Sequence, residues 1–285
     1  MPDWLFVDGS SLIFRAFFAV PQAVRAPDGR SVNAVRGFMD TMARVLPARR
    51  PVRLAVASDE DWRPAWRVEL LPSYKAHRVA EPIPPDLDRQ MPHIHRVLAA
   101  IGVDFVGAPD FEAEDVIASW VSQVDGTVEI LSGDRDLFGL VDGSRVRVLY
   151  PEKGGLAEVD DAEVERRYGV PAGSYSDFAV LRGDPSDGLP GLSGVGPKRA
   201  ADLVRHYGGV EGLLAERRLS SSDADYLRRA LQVVQPAAGA IPLPEGRRAA
   251  YPADHDDLAA ATEELGLGSS PGRLVDALRG LPDAG

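Results

Sequence analysis

Short runs of Val, Ile and Leu, most of them closed by an acid or by a Gly/Ser turn, constrain this chain more than any other feature. They are Trp4–Gly9, Arg53–Asp59, Val103–Gly107, Val128–Asp134 and Val146–Tyr150. Segments of helical period separate them, at about 33–46, 87–101 and 112–124, each long enough for a helix. Strands alternating with helices build βαβ units, which predicts an α/β fold with a mostly parallel central sheet flanked by helices. Ligands of such sheets bind beyond the carboxyl ends of the strands. Asp8, Asp59 and Asp134 fall at predicted strand ends, so they should converge on one edge.

After about residue 160 the strand signal stops. Residues 161–168, 174–182, 197–207, 210–217 and 222–234 read as short helices joined by Gly- and Pro-rich turns. Residues 235–252 read as an irregular connection, and a last helical pair is predicted at about 255–265 and 271–280. No repeat or low-complexity tract interrupts the 285 residues, a length that suits one large domain or two modest ones.

Several function classes drop out. The chain has no cysteine, which removes disulfide scaffolds, thiolate zinc sites and cysteine nucleophiles together. Its five histidines are scattered, so no histidine-built metal cluster is expected. The apolar stretch Leu12–Val20 is broken by Arg15 and is too short to span a bilayer. The opening Met1-Pro2-Asp3 lacks a basic n-region, and no membrane partner is expected. We expect a cytoplasmic protein.

The net charge of −11 argues against binding nucleic acid, unless the carboxylates are concentrated in one place. Nine are candidates: Asp8, Asp59, Glu112, Glu114, Asp115, Asp134, Asp136, Asp184 and Asp187. Singly, each is an ordinary turn former or helix cap. Together they are harder to set aside. Glu112, Glu114 and Asp115 place three acids within four positions at a helix start, where the dipole favours one or two. Glu112 and Asp115 are i,i+3 neighbours on one face, and Glu114 reaches that side only because the segment lies at the helix start. Asp134 and Asp136 lie two apart just past a strand, and Asp184 and Asp187 lie three apart in a tight loop. Such a cluster cannot stand uncompensated. Hard divalent cations such as Mg²⁺ or Mn²⁺ resolve the conflict with oxygen ligands alone. Two of them about 3.5–4 Å apart stabilise the attacking and leaving oxygens of a phosphoryl displacement. Without the nine, −11 becomes −2, so the acidity is largely a site.

Two basic stretches complement it. Leu192–Ala200 is a Gly-rich turn entering a helix with Pro at its first position. Its glycines let backbone N–H groups approach a phosphate, with Lys198 and Arg199 adding charge; the alternative is a plain helix start. Between Asp59 and Glu81, Trp62, Arg63, Trp66, Arg67, Tyr74, Lys75, His77 and Arg78 interleave aromatic and basic side chains. That suits single-stranded nucleic acid, and equally an amphipathic helix pair.

In this order the motifs resemble the 5′-nuclease family, which comprises flap endonucleases and the 5′–3′ exonuclease domain of bacterial DNA polymerase I. The likeness runs from Val7-Asp8-Gly9 through Asn33–Phe38, Leu71–Arg78, Glu112–Asp115, Ser132–Asp136, Gly183–Gly191 and Gly194–Lys198 to about Tyr207. It implies a PIN-like nuclease core at residues 1–165 and an arch at about 60–90. It further implies a helical, helix–turn–helix-type duplex-binding subdomain at 166–250, with C-terminal helices at 251–285 packing on the body. All nine acids become ligands of two or more metal ions, and Lys75 and Arg78 become the stabilisers of the scissile phosphate. DNA contacts are implied for Arg63, Arg67 and Tyr74 in the arch and for Ser193, Gly194, Val195, Gly196, Lys198 and Arg199 in the loop. A K⁺ ion is implied at 193–196, and Arg15 and Asn33 are lesser DNA-contact candidates. Two positions depart from the pattern. Glu114 stands where bacterial members usually have Asp, and Ser58 precedes Asp59 where an aromatic is common. The resemblance implies a structure-specific nuclease acting on 5′ flaps and 5′-ended duplexes, with RNA–DNA primers as further substrates; a stand-alone form and a monomer are expected. Two alternatives stay open: a non-catalytic DNA-junction binding module with a vestigial acidic site, and a related ribonuclease.

Overall fold

The computed structural model describes residues 1–80, 83–216, 219–239 and 241–283. Six strands form one sheet: β1 (Trp4–Asp8), β2 (Arg53–Ala57), β3 (Asp104–Val106), β4 (Val128–Leu131), β5 (Val146–Glu152) and β6 (Gly155–Val159), in the order β3-β2-β1-β4-β5-β6. All neighbours pair in parallel except β6, which returns antiparallel to β5. The alternation of side chains explains the uninterrupted apolar runs. Trp4, Phe6, Ala55, Ala57, Val128 and Ile130 enter one core, whereas Leu5, Val7, Leu54, Val56 and Leu131 enter the other. A parallel sheet is covered on both faces, so its strands have no polar side.

On the first face lie helix Ala113–Val121 and the helices that follow β6, among them Tyr175–Arg182, Pro197–Tyr207 and Ser221–Val234. On the second lie helices Gly9–Ala19, Asn33–Arg49 and Met91–Ile101, with the C-terminal pair His255–Glu264 and Ser270–Arg279 packed over them. The first of these was not foreseen. It occupies the apolar stretch Leu12–Val20, where Leu12, Ile13 and Phe17 are buried and Phe14 and Phe18 face solvent. The irregular connection has a defined course. The Trp120 indole donates to the Pro242 carbonyl at 3.0 Å, the Leu54 N–H to the Gly246 carbonyl at 2.8 Å, and the Gly246 N–H to Asp104 at 2.9 Å. Residues 235–239 and 241–252 are thus strapped along the α/β body. Among the described residues no helix is long and apolar enough to cross a membrane.

Within the span expected to form an arch lie three short helices, Ala65–Leu70, His77–Ala80 and Pro85–Asp88. Glu81 and Pro82 of that span, like Arg217 at the end of the predicted helix 210–217, fall outside the described residues.

Candidate functional site

The site grows from the carboxyl edge of the sheet. Asp8 is the last residue of β1 and the N-cap of helix Gly9–Ala19. Its Oδ1 accepts from the Ser11 N–H at 2.9 Å, and its Oδ2 accepts from the Ser132 hydroxyl at 2.5 Å. Asp59, two residues beyond β2, accepts from the Ala113 N–H at 2.8 Å and donates its own N–H to Ser10. Asp134 follows β4 and accepts from the Asp136 N–H at 2.9 Å. The three strand ends do converge, as the topology requires with β2, β1 and β4 adjacent.

Helix Ala113–Val121 then supplies acids in two directions. Glu114, Asp134 and Asp136 bring carboxylate oxygens within 4.8 Å of one another. The i,i+3 partners Glu112 and Asp115 serve instead the segment following β2. Glu112 accepts from Arg67, from Lys75 and, at 2.6 Å, from the Tyr74 hydroxyl. Both Asp115 oxygens are taken: Oδ1 by Arg67 and the Ala237 N–H, each at 2.7 Å, and Oδ2 by the Glu112 N–H at 3.0 Å.

The last two acids come from the loop after helix Tyr175–Arg182. Asp184 is also fully engaged, by Arg182 at 2.9 Å and Arg135 at 3.3 Å on one oxygen and by Ser186 on the other. Asp187 lies 3.8 Å from Lys75 and 4.0 Å from Arg78. Its carbonyl accepts the Lys75 N–H at 3.0 Å. Lys75 holds a left-handed φ of 46°, a conformation that costs free energy in a non-glycine residue and concentrates at functional sites.

Electrostatics follow from this crowding. Burial, with Asp59 adding to it, pushes the Asp8 carboxyl up to about 7. Burial pushes Asp187 up to about 6, against the pull of Lys75. Asp136 is held well above the usual carboxylate range by burial and by Asp187, Asp134 and Asp184. Glu114 is likewise held well above it by burial, which Arg67 offsets only in part. Burial alone would lower the Lys75 ammonium, yet Glu112, Glu114 and Asp187 keep it above an ordinary lysine. A buried all-oxygen cluster whose members resist ionising together is complementary to a hard divalent cation. Glu114, Asp134 and Asp136, with Asp8 and Asp187 beside them, fit such ions.

Three expected DNA contacts are corrected by burial. Arg67 is 0% exposed and Tyr74 2%, because the acids of the helix start draw both inward. Asn33 is 0% exposed; its amide closes the end of helix Gly9–Ala19 through the carbonyls of Phe17 and Val20 and accepts from Gln90. Arg63 is half-buried and binds the carbonyls of Tyr74 and Pro72. Arg15 stays exposed beside Gly133, reaching the Pro151 carbonyl at 3.2 Å. Ser193, Gly194, Gly196, Lys198 and Arg199 are exposed and Val195 is half-buried, at the entry to helix Pro197–Tyr207. Sequence reasoning missed Ser10, Ser132, Arg135 and Arg182. The one local signal is for Arg135, an arginine enclosed between two candidate ligands.

Comparison with known proteins fits this architecture. Residues 3–169 match the family of 5′–3′ exonuclease N-terminal, resolvase-like domains, and residues 170–237 match the 5′–3′ exonuclease C-terminal SAM fold. A Streptomyces coelicolor 5′–3′ exonuclease is 45% identical over 96% of this chain and 99% of its own length. A Mycobacterium bovis DNA polymerase I is 38% identical over 75% of this chain and 24% of its own. The fold is also that of the bacteriophage T5 D15 flap endonuclease, solved with DNA and metal ions. Its TM-score is 0.67 at 18% identity, covering 97% of this chain and 99% of that one. With both domains of the family matched in order and a full-length relative at that identity, this protein belongs to the 5′–3′ exonuclease family.

Proposed function

We propose that the protein is a divalent-metal-dependent, structure-specific 5′ nuclease that hydrolyses DNA phosphodiesters at 5′ flaps and 5′ ends. The observation that carries this reading is the convergence of Glu114, Asp134 and Asp136 at the carboxyl edge of the sheet, with Lys75 and Arg78 paired to the neighbouring Asp187. Mg²⁺ or Mn²⁺ held there supplies charge stabilisation to the attacking and leaving oxygens. The chain's own residues do the rest. Arg78, partly exposed beside Asp187, neutralises the scissile phosphate; Lys75 is 4% exposed with its ammonium on Glu112 and joins Arg78 by exchanging that carboxylate for the phosphate. The exposed turn 193–199 grips the duplex backbone, a positioning contact that carries no base readout, with K⁺ as a proposed occupant of 193–196. Arg15, exposed beside Gly133, and Arg63, on the Tyr74 and Pro72 carbonyls, are further proposed DNA contacts. RNA–DNA primers are proposed as further substrates, since their phosphodiesters undergo the same displacement.

The test is a labelled 5′-flap duplex and a matched single strand incubated with Mg²⁺, Mn²⁺ or EDTA, beside an Asp134→Ala variant. Metal-dependent cutting at the junction, lost in the variant, is expected. Tight binding without cutting would refute the enzyme and leave a junction-binding module; cleavage of RNA strands alone would redirect the reading to a ribonuclease.

A further inference from the structure

Helix Ala65–Leu70 has six residues, and Arg67 is its one fully buried side chain. A helix this short is not stable alone. Leu70 packs against the first core, and the helix's one fully buried contact is ionic. Arg67 pairs with Glu112, with Asp115 at 2.7 Å and with Glu114 at 3.0 Å. Its guanidinium lies 4.8 Å from the Trp66 ring centroid and 5.7 Å from that of Tyr74. Its Nε is buried without a partner, a cost the segment bears while the two terminal nitrogens engage the acids. Tyr74 and Lys75 then reach the same Glu112. Asp115 also binds the Ala237 N–H, so this contact joins three parts of the chain.

Resting on the nuclease reading, we infer that Arg67 is a positioning residue: it pins segment 65–75 to the acidic helix start and thereby sets Lys75 over the metal carboxylates. Of the acids at that helix start, Glu112 and Asp115 serve the pin, and Glu114 is shared between Arg67 and the ions. The pin depends on the fork geometry of arginine, because a lysine point charge cannot span Glu112 and Asp115 together. Simple charge balance, by contrast, would be met equally well by lysine.

Arg67→Lys and Arg67→Met are therefore compared with the parent protein in three measurements. These are single-turnover cleavage of the flap duplex, hydrogen exchange of amides 71–78 without substrate, and Mn²⁺ binding by calorimetry. Both variants are expected to lose about 10²-fold in rate, the typical consequence of a misplacement near 1 Å. KM should stay within about threefold, because the duplex grip is untouched. Amides 71–78 should exchange faster while the Mn²⁺ stoichiometry holds. Wild-type rate and protection in Arg67→Lys would overturn the pin in favour of charge balance. Loss of Mn²⁺ with unchanged protection would overturn it in favour of a direct effect on the ligands. If neither variant folds, Tyr74→Phe removes only the hydroxyl on Glu112; faster exchange at 71–78 supports the pin and unchanged exchange refutes it. Exchange and Mn²⁺ binding need no cleavage, so an inactive parent protein would sink the nuclease reading and leave the pin tested.

Discussion

Stripping divalent metal is expected to destabilise this protein, and to do so far more at about pH 8 than at about pH 5. The reason lies in the carboxyl groups at the sheet edge. Burial, together with Asp59, raises Asp8 from an ordinary 3.8 to about 7, and burial raises Asp187 to about 6. Asp136 and Glu114 move in the same direction. Each raised group means that the metal-free folded protein binds more protons than the unfolded chain across the window from about pH 4 to about pH 7, so stability falls as pH rises through it. At about 1.4 kcal/mol per pH unit, the climb of Asp8 costs about 4 kcal/mol by pH 8 and that of Asp187 about 3 kcal/mol. Both are also repelled by Asp134, and the two together cost on the order of 7 kcal/mol. A bound cation supplies the missing charge and removes the cost.

For a chain of this size about 1 kcal/mol moves the melting temperature by about 2–4 °C. The gap between Mg²⁺-loaded and EDTA-treated protein should therefore open from a few degrees near pH 5 to about 10 °C or more near pH 8. Thermal melts monitored by circular dichroism in both conditions measure it. A gap that is absent, or that closes as pH rises, would refute the assignment of these carboxyls to a cation site.

Three further outcomes are expected. In Gly188→Ala the new Cβ would stand 1.9 Å from the Ser73 carbonyl oxygen, at a φ of +71°. Ser73 must retreat by about 1 Å, costing about 1–2 kcal/mol of backbone strain and about 10²-fold in single-turnover rate; denaturant melts and quench-flow kinetics would show either failing. Lys198→Ala and Arg199→Ala should each weaken duplex binding irrespective of sequence and flatten the salt dependence of log Kd by about 1. Cleavage under saturating enzyme should be unchanged, and an unchanged salt slope would remove these residues from the backbone contact. Trp120→Ala removes a fully buried ring at a cost of about 3–5 kcal/mol. Because the indole also holds Pro242, limited proteolysis should open the strap 235–252 first; a strap as resistant as in the parent protein would contradict that link.

How much of this could be read from residue order varies by element. Strands β1, β2, β4 and β5 were legible because both sheet faces are buried, which leaves long apolar runs. Strand β6 was not: it is an edge strand, and its residues are mostly exposed, so neither run nor alternation marks it. Helix Gly9–Ala19 was obscured because Phe14 and Phe18 are apolar yet 46% and 62% exposed, which blurs the 3.6-residue period. Asp8, Asp59 and Asp134 were legible by their places at strand ends, and the other acids by their crowding at a helix start and in short loops. Their division of labour was not, because it depends on Arg67, Arg135, Arg182 and the Ala237 N–H, partners that come from remote parts of the chain. Arg67 and Tyr74 were read as surface groups for the same reason. An Arg beside aromatics looks identical in sequence whether it meets a phosphate or a buried carboxylate.

That division explains how so acidic a centre can fold at all. Glu112 and Asp115 share Arg67, with Lys75 added on Glu112, and Asp184 is closed by Arg182 and Arg135. These acids carry their own counter-charges, delivered by three different segments, and closing those contacts assembles the segment after β2, the loop after β4 and the loop after helix Tyr175–Arg182 around one edge of the sheet. Asp8, Glu114, Asp136 and Asp187 remain with less compensation than their burial demands, and these are the groups whose protons are held most tightly. Charge that the chain neutralises builds the walls of the site, and on the proposed reading charge that it leaves unbalanced is where the cations bind. A nuclease needs this asymmetry. A fully neutralised cluster would hold metal weakly, whereas a wholly uncompensated one would hold protons in place of metal or fail to close.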